Sequence, residues 1–115
     1  MLTLSFNPFS SQGVPILAAP LRKLPLLREL SLARCEIGDE GVASLVENLG
    51  KDDFKALETL LITQNVITDV GMNKIVTTIE MGGLPKLQLP QSLHQNPASG
   101  AAIQAVQDAL HKRSQ

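Results

Sequence analysis

The chain has 115 residues, 43% of them hydrophobic and 18% charged, with 10 Lys+Arg against 11 Asp+Glu. That is one ordinary globular unit, too apolar for a disordered chain and without the basic excess of a strong nucleic-acid binder. A single cysteine excludes a disulfide scaffold and a cysteine-based zinc site, and the absence of Trp and Tyr leaves base stacking poorly supplied.

Residues 2 to 21 carry no charge. No Lys or Arg precedes them, and Asn7, Pro8, Ser10, Ser11, Gln12, Gly13 and Pro15 interrupt the apolar run. The stretch is therefore read neither as a signal peptide nor as a membrane span. One unpaired Cys35 and no Asn-x-Ser/Thr sequon point to an intracellular, cytoplasmic protein.

The first segment, LTLSFNPFSSQGVPILAAPL (2–21), recurs as LSLARCEIGDEGVASLVENL (30–49) and again as LLITQNVITDVGMNKIVTTI (60–79). Leu2/Leu30/Leu60, Leu4/Leu32/Ile62, Asn7/Cys35/Asn65, Phe9/Ile37/Ile67, Gly13/Gly41/Gly71, Leu17/Leu45/Ile75 and Leu21/Leu49/Ile79 keep their chemical type without gaps. In the fourth unit, Leu84, Leu87 and Leu89 match the start with a shift of 27, and Asn96 to Leu110 match the end with a shift of 31. About four inserted residues are therefore expected within LPQSLHQ. The units run about 1–24, 25–54, 55–83 and 84–115.

Each unit reads in the same order. Leu-x-Leu alternates with period 2, as a short strand with one apolar face. The Asn/Cys slot follows, where a side-chain amide satisfies backbone groups of adjoining turns. Ser11, Asp39 and Asp69 share one position and are expected to be N-caps. Gly13, Gly41 and Gly71 lie two positions further and are expected to admit a neighbour's backbone. Leucine or isoleucine pairs at i, i+4 then mark a buried helix stripe. Pro15 and Pro20 predict a short or distorted first helix, and Pro85 and Pro90 a bent fourth edge strand. The last helix, from Ser99, turns Ile103, Val106 and Leu110 inward and ends on the cations His111, Lys112 and Arg113.

One strand–loop–helix unit cannot bury enough apolar surface alone, but stacked units can. The expected fold is α/β: a solenoid of about four units, with parallel strands on the concave side and helices on the convex side. The stretch LRELSLARCEIGDEGVASLVENL resembles a leucine-rich repeat of the ribonuclease-inhibitor-like subfamily. That resemblance implies a curved array whose strand face binds other proteins. The single cysteine separates the chain from a ribonuclease inhibitor proper, which is cysteine-rich.

No catalytic constellation emerges. Cys35 occupies a structural slot, and His94 and His111 stand far apart in the chain. Asp39–Glu40 and Asp52–Asp53 lack a perturbing pocket. No metal, no cofactor, no nucleic acid and no membrane are expected. The side chains between the leucines face outward from the strands. They give the candidate partner-binding surface: Glu29, Ser31, Arg34, Thr59, Leu61, Thr63, Gln64, Lys86 and Gln88, centred on Leu61. The function expected is a non-enzymatic protein-interaction module. The alternatives are a GTPase regulator of the Ran GTPase-activating type and a purely structural segment of a longer array. Because no polar element precedes the first strand, self-association through an open N-terminal edge is also expected.

Overall fold

The computed structural model describes residues 2–3, 10–50, 52–88 and 93–113, and the side chains of 10–12, 14 and 15 lie outside that description. The elements are β1 (Leu2–Thr3), α1 (Ser10–Arg22), β2 (Glu29–Ser31), α2 (Asp39–Val46), β3 (Thr59–Leu61), α3 (Asp69–Glu80) and α4 (Gly100–Arg113). The three strands form one parallel sheet in the order β1-β2-β3. The repeat sets its register: Leu2 faces Leu30, and Leu30 faces Leu60. The helices pack in sequence, α1 on α2, α2 on α3 and α3 on α4. Between sheet and helices lies one core, built from the predicted slots Leu30, Leu32, Cys35, Ile37, Leu45, Leu60, Ile62, Ile67, Ile75 and Ile79.

The Asn slot is the first device that joins units. Asn65 Oδ1 accepts from the backbone N–H groups of Cys35 (2.9 Å) and Ile37 (3.0 Å) in the preceding unit. Its Nδ2 donates to the carbonyls of Leu32 and Ile62, each at 3.0 Å. Asn96 repeats the arrangement one unit on, accepting from Asn65 N (3.1 Å) and Ile67 N (3.2 Å) and donating to Ile62 O and Leu93 O, each at 3.0 Å. A planar amide has two acceptor and two donor directions, which suits it to close a turn and grip its neighbour at once. Asn7 and Phe9, at the head of the series, lie outside the described residues.

The aspartates act differently from the expectation. Asp39 and Asp69 are the first residues of α2 and α3, not their N-caps; Gly38 and Thr68 hold those positions. Each carboxylate serves the next unit. Asp39 Oδ1 accepts from Thr68 N (2.8 Å) and Gly71 N (3.0 Å), and Oδ2 accepts from the Thr68 hydroxyl. Asp69 accepts in the same way from Ser99 N (2.6 Å) and the Ser99 hydroxyl (3.1 Å). Thr68 and Ser99 in turn cap their own helices through Val70 N and Ala102 N. Asp39 thus satisfies one of the four unpaired N–H groups that open α3. The side chain of Ser11, at the equivalent position, lies outside the described residues.

Gly71 is required by this arrangement. A Cβ there would stand 2.5 Å from Asp39 Oδ1 and 2.6 Å from Ile67 Cγ2. The close approach is to a neighbour's side chain, rather than to its backbone as the spacing suggested.

Three further expectations change. α1 runs unbroken for 13 residues through Pro15 and Pro20. Each proline forfeits one N–H bond, and packing of Ala18 and Leu21 holds the helix in place. α2 ends at Val46, so Leu49 falls beyond it and is only half-buried. Finally, among the described residues 84 to 88 there is no fourth strand. Leu87 N donates to Leu84 O as Leu57 N does to Phe54 O, and Gln88 N donates to Glu58 O as Glu58 N does to Arg28 O. The fourth unit therefore begins with a shift of 30 and reaches 31 at Leu93 and Asn96. One residue is inserted, not about four. Leu89 and Pro90 lie outside the described residues.

The glycines provide a test. Gly-to-Ala inside a helix ordinarily stabilises by about 0.5–1 kcal/mol. Gly71→Ala should instead lower stability, because it displaces the Asp39 carboxylate. Gly100→Ala, where a Cβ meets nothing within 4 Å, should be neutral or stabilising. Urea unfolding of both variants reads the difference, and a stabilising Gly71→Ala would refute the role given to Asp39.

Candidate functional site

Cys35, His94 and His111, weighed for chemistry and set aside in the sequence, stand apart in the structure. Cys35 is buried, and its thiol donates to Ala33 O at 3.5 Å. His94 and His111 are exposed. Among the described residues, no group of three or more His, Cys, Asp or Glu could hold a metal ion, and no helix is long and apolar enough to cross a membrane.

The acidic pair Asp52–Asp53 divides. Asp52 is exposed, whereas Asp53 is buried. Asp53 accepts from Lys23 Nζ (2.5 Å), Arg22 Nη2 (2.9 Å) and Gly50 N (2.9 Å). Lys23 foremost, then the Gly50 N–H and Arg22, hold its carboxyl far below the usual carboxylate range. The Arg22 guanidinium also donates to Ser44 O (3.3 Å) and Asn48 O (3.0 Å), carbonyls within and just beyond α2. The pair of cations and one carboxylate therefore fasten the end of α1 to the connection after α2. At the other end, Arg113 does similar work, donating to Gly83 O (2.7 Å) and Leu84 O (2.6 Å), and desolvation lowers its pKa from the ordinary arginine value.

The strand face is the remaining candidate surface. Parallel register places Glu29 beside Thr59 and Ser31 beside Leu61. Thr59, Leu61 and Thr63 are half-buried, and Glu29 is exposed. Ser31 is only 4% exposed and offers little to a partner. At the entry to the strands, Arg28 Nε meets Glu58 Oε2 at 2.8 Å. The hydrogen bond from Arg28, then the charges of Arg28 and Lys86, lower the pKa of Glu58. Lys86 and Gln88 are exposed, but they do not lie beside Thr59 and Leu61 as the leucine spacing had it. With a shift of 30, Lys86 stands at the slot of Ala56, in a turn, and Gln88 beside Glu58.

At the exit of the strands, Arg34 and Gln64 adopt the left-handed conformation, with φ of 57° and 59°. Gln95, φ 62°, continues that row one unit on. Backbone bonds from Arg34 N to Thr63 O and from Gln64 N to His94 O, each 3.1 Å, align them. Gln95 was not among the sequence candidates. The shift of 31 already established by Asn96 would have found it. Bulky residues in this region of backbone space are strained, and the ladder of bonds holds them there.

A scan of known families matches residues 23–46 to the leucine rich repeat. Mouse (Mus musculus) protein NLRC5 is 36% identical over 78 residues, which is 67% of this chain and 4% of that protein. The chain therefore spans only a small fraction of the relative it matches. Among solved structures, a chain titled leiomodin-1 actin-binding site 2 superposes with a TM-score of 0.70. The match covers 99% of this chain and 81% of that one, at 12% identity. Repeat, fold and relatives agree: the chain is a leucine-rich repeat protein.

The Asp53 cluster gives a pH test. A carboxyl whose pKa is depressed on folding contributes stability above its unfolded value, and loses it as pH falls. Asp53→Asn should lower the Tm at pH 7, and the gap to the unmodified chain should narrow progressively as the pH falls below about 4. A gap of constant size down to pH 2.5 would show that Asp53 is not a charged anchor. Asp52→Asn should leave the Tm unchanged throughout.

Proposed function

We propose that this chain is a non-enzymatic protein-interaction module. In this reading it forms a leucine-rich repeat solenoid of about four units, of the ribonuclease-inhibitor-like type, that engages a partner through its concave strand face. The contact set is Glu29, Arg34, Thr59, Leu61, Thr63 and Gln64, with Gln95 extending the exit row; buried Ser31 and Lys86, in the turn, drop out of it, and Gln88 only flanks the entry beside Glu58.

The observation that carries this reading is the distribution of chemistry along the strands. Thr59, Leu61 and Thr63 make an uncharged strip. Charged or strongly polar side chains bound it at both ends: Glu29 and the Arg28–Glu58 pair at the entry, Arg34 and Gln64 at the exit. A less polar centre within a polar rim is the anatomy of a protein–protein interface. The Arg22, Lys23 and Asp53 cluster is spent on joining α1 to the connection after α2, which supports a binding role over a catalytic one.

The test places a photo-crosslinking amino acid at Leu61 and, separately, at Lys112 on the helical side, and exposes each to cell extract. Adducts to a discrete partner from position 61 and not from 112, lost on Arg34→Glu, are the expected result. Adducts from 112 alone would move the binding surface to the helices.

A further inference from the structure

The turns that leave β2 and β3, the turn ahead of α4, and the first turns of the helices that follow make up one rim of the molecule. Two rows of exposed side chains run along it. Val66 N donates to Ile37 O at 2.9 Å and Ala98 N to Ile67 O at 3.0 Å, which sets Glu36, Val66 and Pro97 in one row. The carboxylates of Asp39 and Asp69 hold Thr68 N and Ser99 N, which brings Glu40, Val70 and Ala101 into a second. All six are exposed.

The fold does not use the two valines. Val66 is 55% exposed and Val70 57%. The preceding unit fills both slots with glutamate. Val70 is the second residue of α3, where valine is a weak helix former and a carboxylate would favour the helix dipole, as Glu40 does in α2. A single exposed valine on a protein surface is ordinary. Here two stand in one unit, Pro97 and Ala101 continue the apolar surface into the next, and Glu36 and Glu40 bound it on the other side.

The charge on this rim is of one sign. Segments 35–41, 65–71 and 96–101 hold four carboxylates and no Lys, Arg or His. Asp39 and Asp69 are spent on the joints to α3 and α4. Glu36 and Glu40 are in no ion pair among the described residues, and residues 2–21 hold no charged side chain to reach them from the unit before. Two unpaired carboxylates beside apolar side chains complement a cation carried next to an aliphatic group, and they repel the phosphates of nucleic acid or lipid. The rim runs along the array rather than across its ends, so a unit stacked before or after would lengthen it and not cover it.

We propose that this rim is a second docking surface, for a protein segment that sets a Lys or Arg beside aliphatic side chains. The valines take the aliphatic groups, and Glu36 and Glu40 take the cation. The rim is separate from the strand face, and neither reading needs the other.

The experiment selects short random peptides, displayed on phage, against the full chain and titrates the enriched peptides into isotope-labelled protein. Enriched peptides should carry Lys or Arg next to Leu, Ile, Val or Met, and should shift the amide resonances of Glu36, Val66 and Val70. Val66→Gln with Val70→Gln should weaken binding by about tenfold or more in Kd. Glu36→Gln with Glu40→Gln should weaken it by about threefold at low salt and by less at high salt. Leu61→Asp should leave binding unchanged. All four substituted rim positions are exposed, so these variants should keep the circular dichroism of the unmodified chain. Failure to enrich any peptide overturns the proposal. So do enriched peptides without a cation, or peptides that shift Thr59 and Leu61 in place of Val66 and Val70, which would leave the strand face as the docking surface.

Discussion

The turns after β2 and β3 each depend on one side-chain amide, Asn65 for the first and Asn96 for the second. Parallel strands this short cannot hold a sheet by their own ladder, because the chain leaves them at once for an irregular turn. In that turn, backbone N–H and C=O groups are buried with no regular partner. An unpaired buried group costs about 1–3 kcal/mol. Asn65 answers four of them: it takes the N–H groups of Cys35 and Ile37 and gives to the carbonyls of Leu32 and Ile62. Because these lie in two units, the same side chain that closes a turn also fixes the spacing between units. The leucine core can then be continuous from β2 to α4.

A second series of bonds runs the opposite way along the chain. Asparagines reach back to the unit before, and aspartates reach forward to the unit after. One series lies at the strand exit and the other at the helix start, so neighbouring units are held at two separated points. This arrangement leaves little freedom for rotation of one unit on the next. It also explains a pattern that helix propensity alone does not. Glycine at position 71 is poor for a helix, yet any side chain there would occupy the space of the Asp39 carboxylate. The cost of glycine to α3 is offset by a bond between units.

Much of this was legible in the sequence, because the repeat compares the chain with itself. The core, the parallel sheet, its register and the importance of the Asn slot follow from the recurrence of Leu2, Leu30 and Leu60, and of Asn65 and Asn96, at nearly constant spacing. The exceptions have physical reasons. Asp39 and Asp69 were placed at the right boundary but assigned to the wrong helix, since a sequence pattern does not tell a bond within a unit from one between units. Asp53 showed in the sequence only as half of an acidic pair, and its partners Arg22 and Lys23 lie one unit back, outside the repeated slots. Lys86 and Gln88 were aligned by leucine matching alone, and Leu84 and Leu87 fit a shift of 27 as readily as one of 30; only the backbone bonds of the turn decide between them. The row of Arg34 and Gln64 was found and its continuation to Gln95 was within reach of the shift of 31, but its left-handed backbone carries no mark in the residue types.

The central claim is that the turns after β2 and β3 have their backbone N–H groups held from the following unit. Native-state hydrogen exchange at the amides of Cys35 and Ile37 tests it most directly. Both amides donate to Asn65 Oδ1 in the next unit. They should exchange only by global unfolding, with the denaturant dependence of the slowest core amides, and Asn65→Ala should convert them to fast, denaturant-independent local exchange. Fast local exchange in the unmodified chain, or unchanged protection of both amides in Asn65→Ala, would contradict the account.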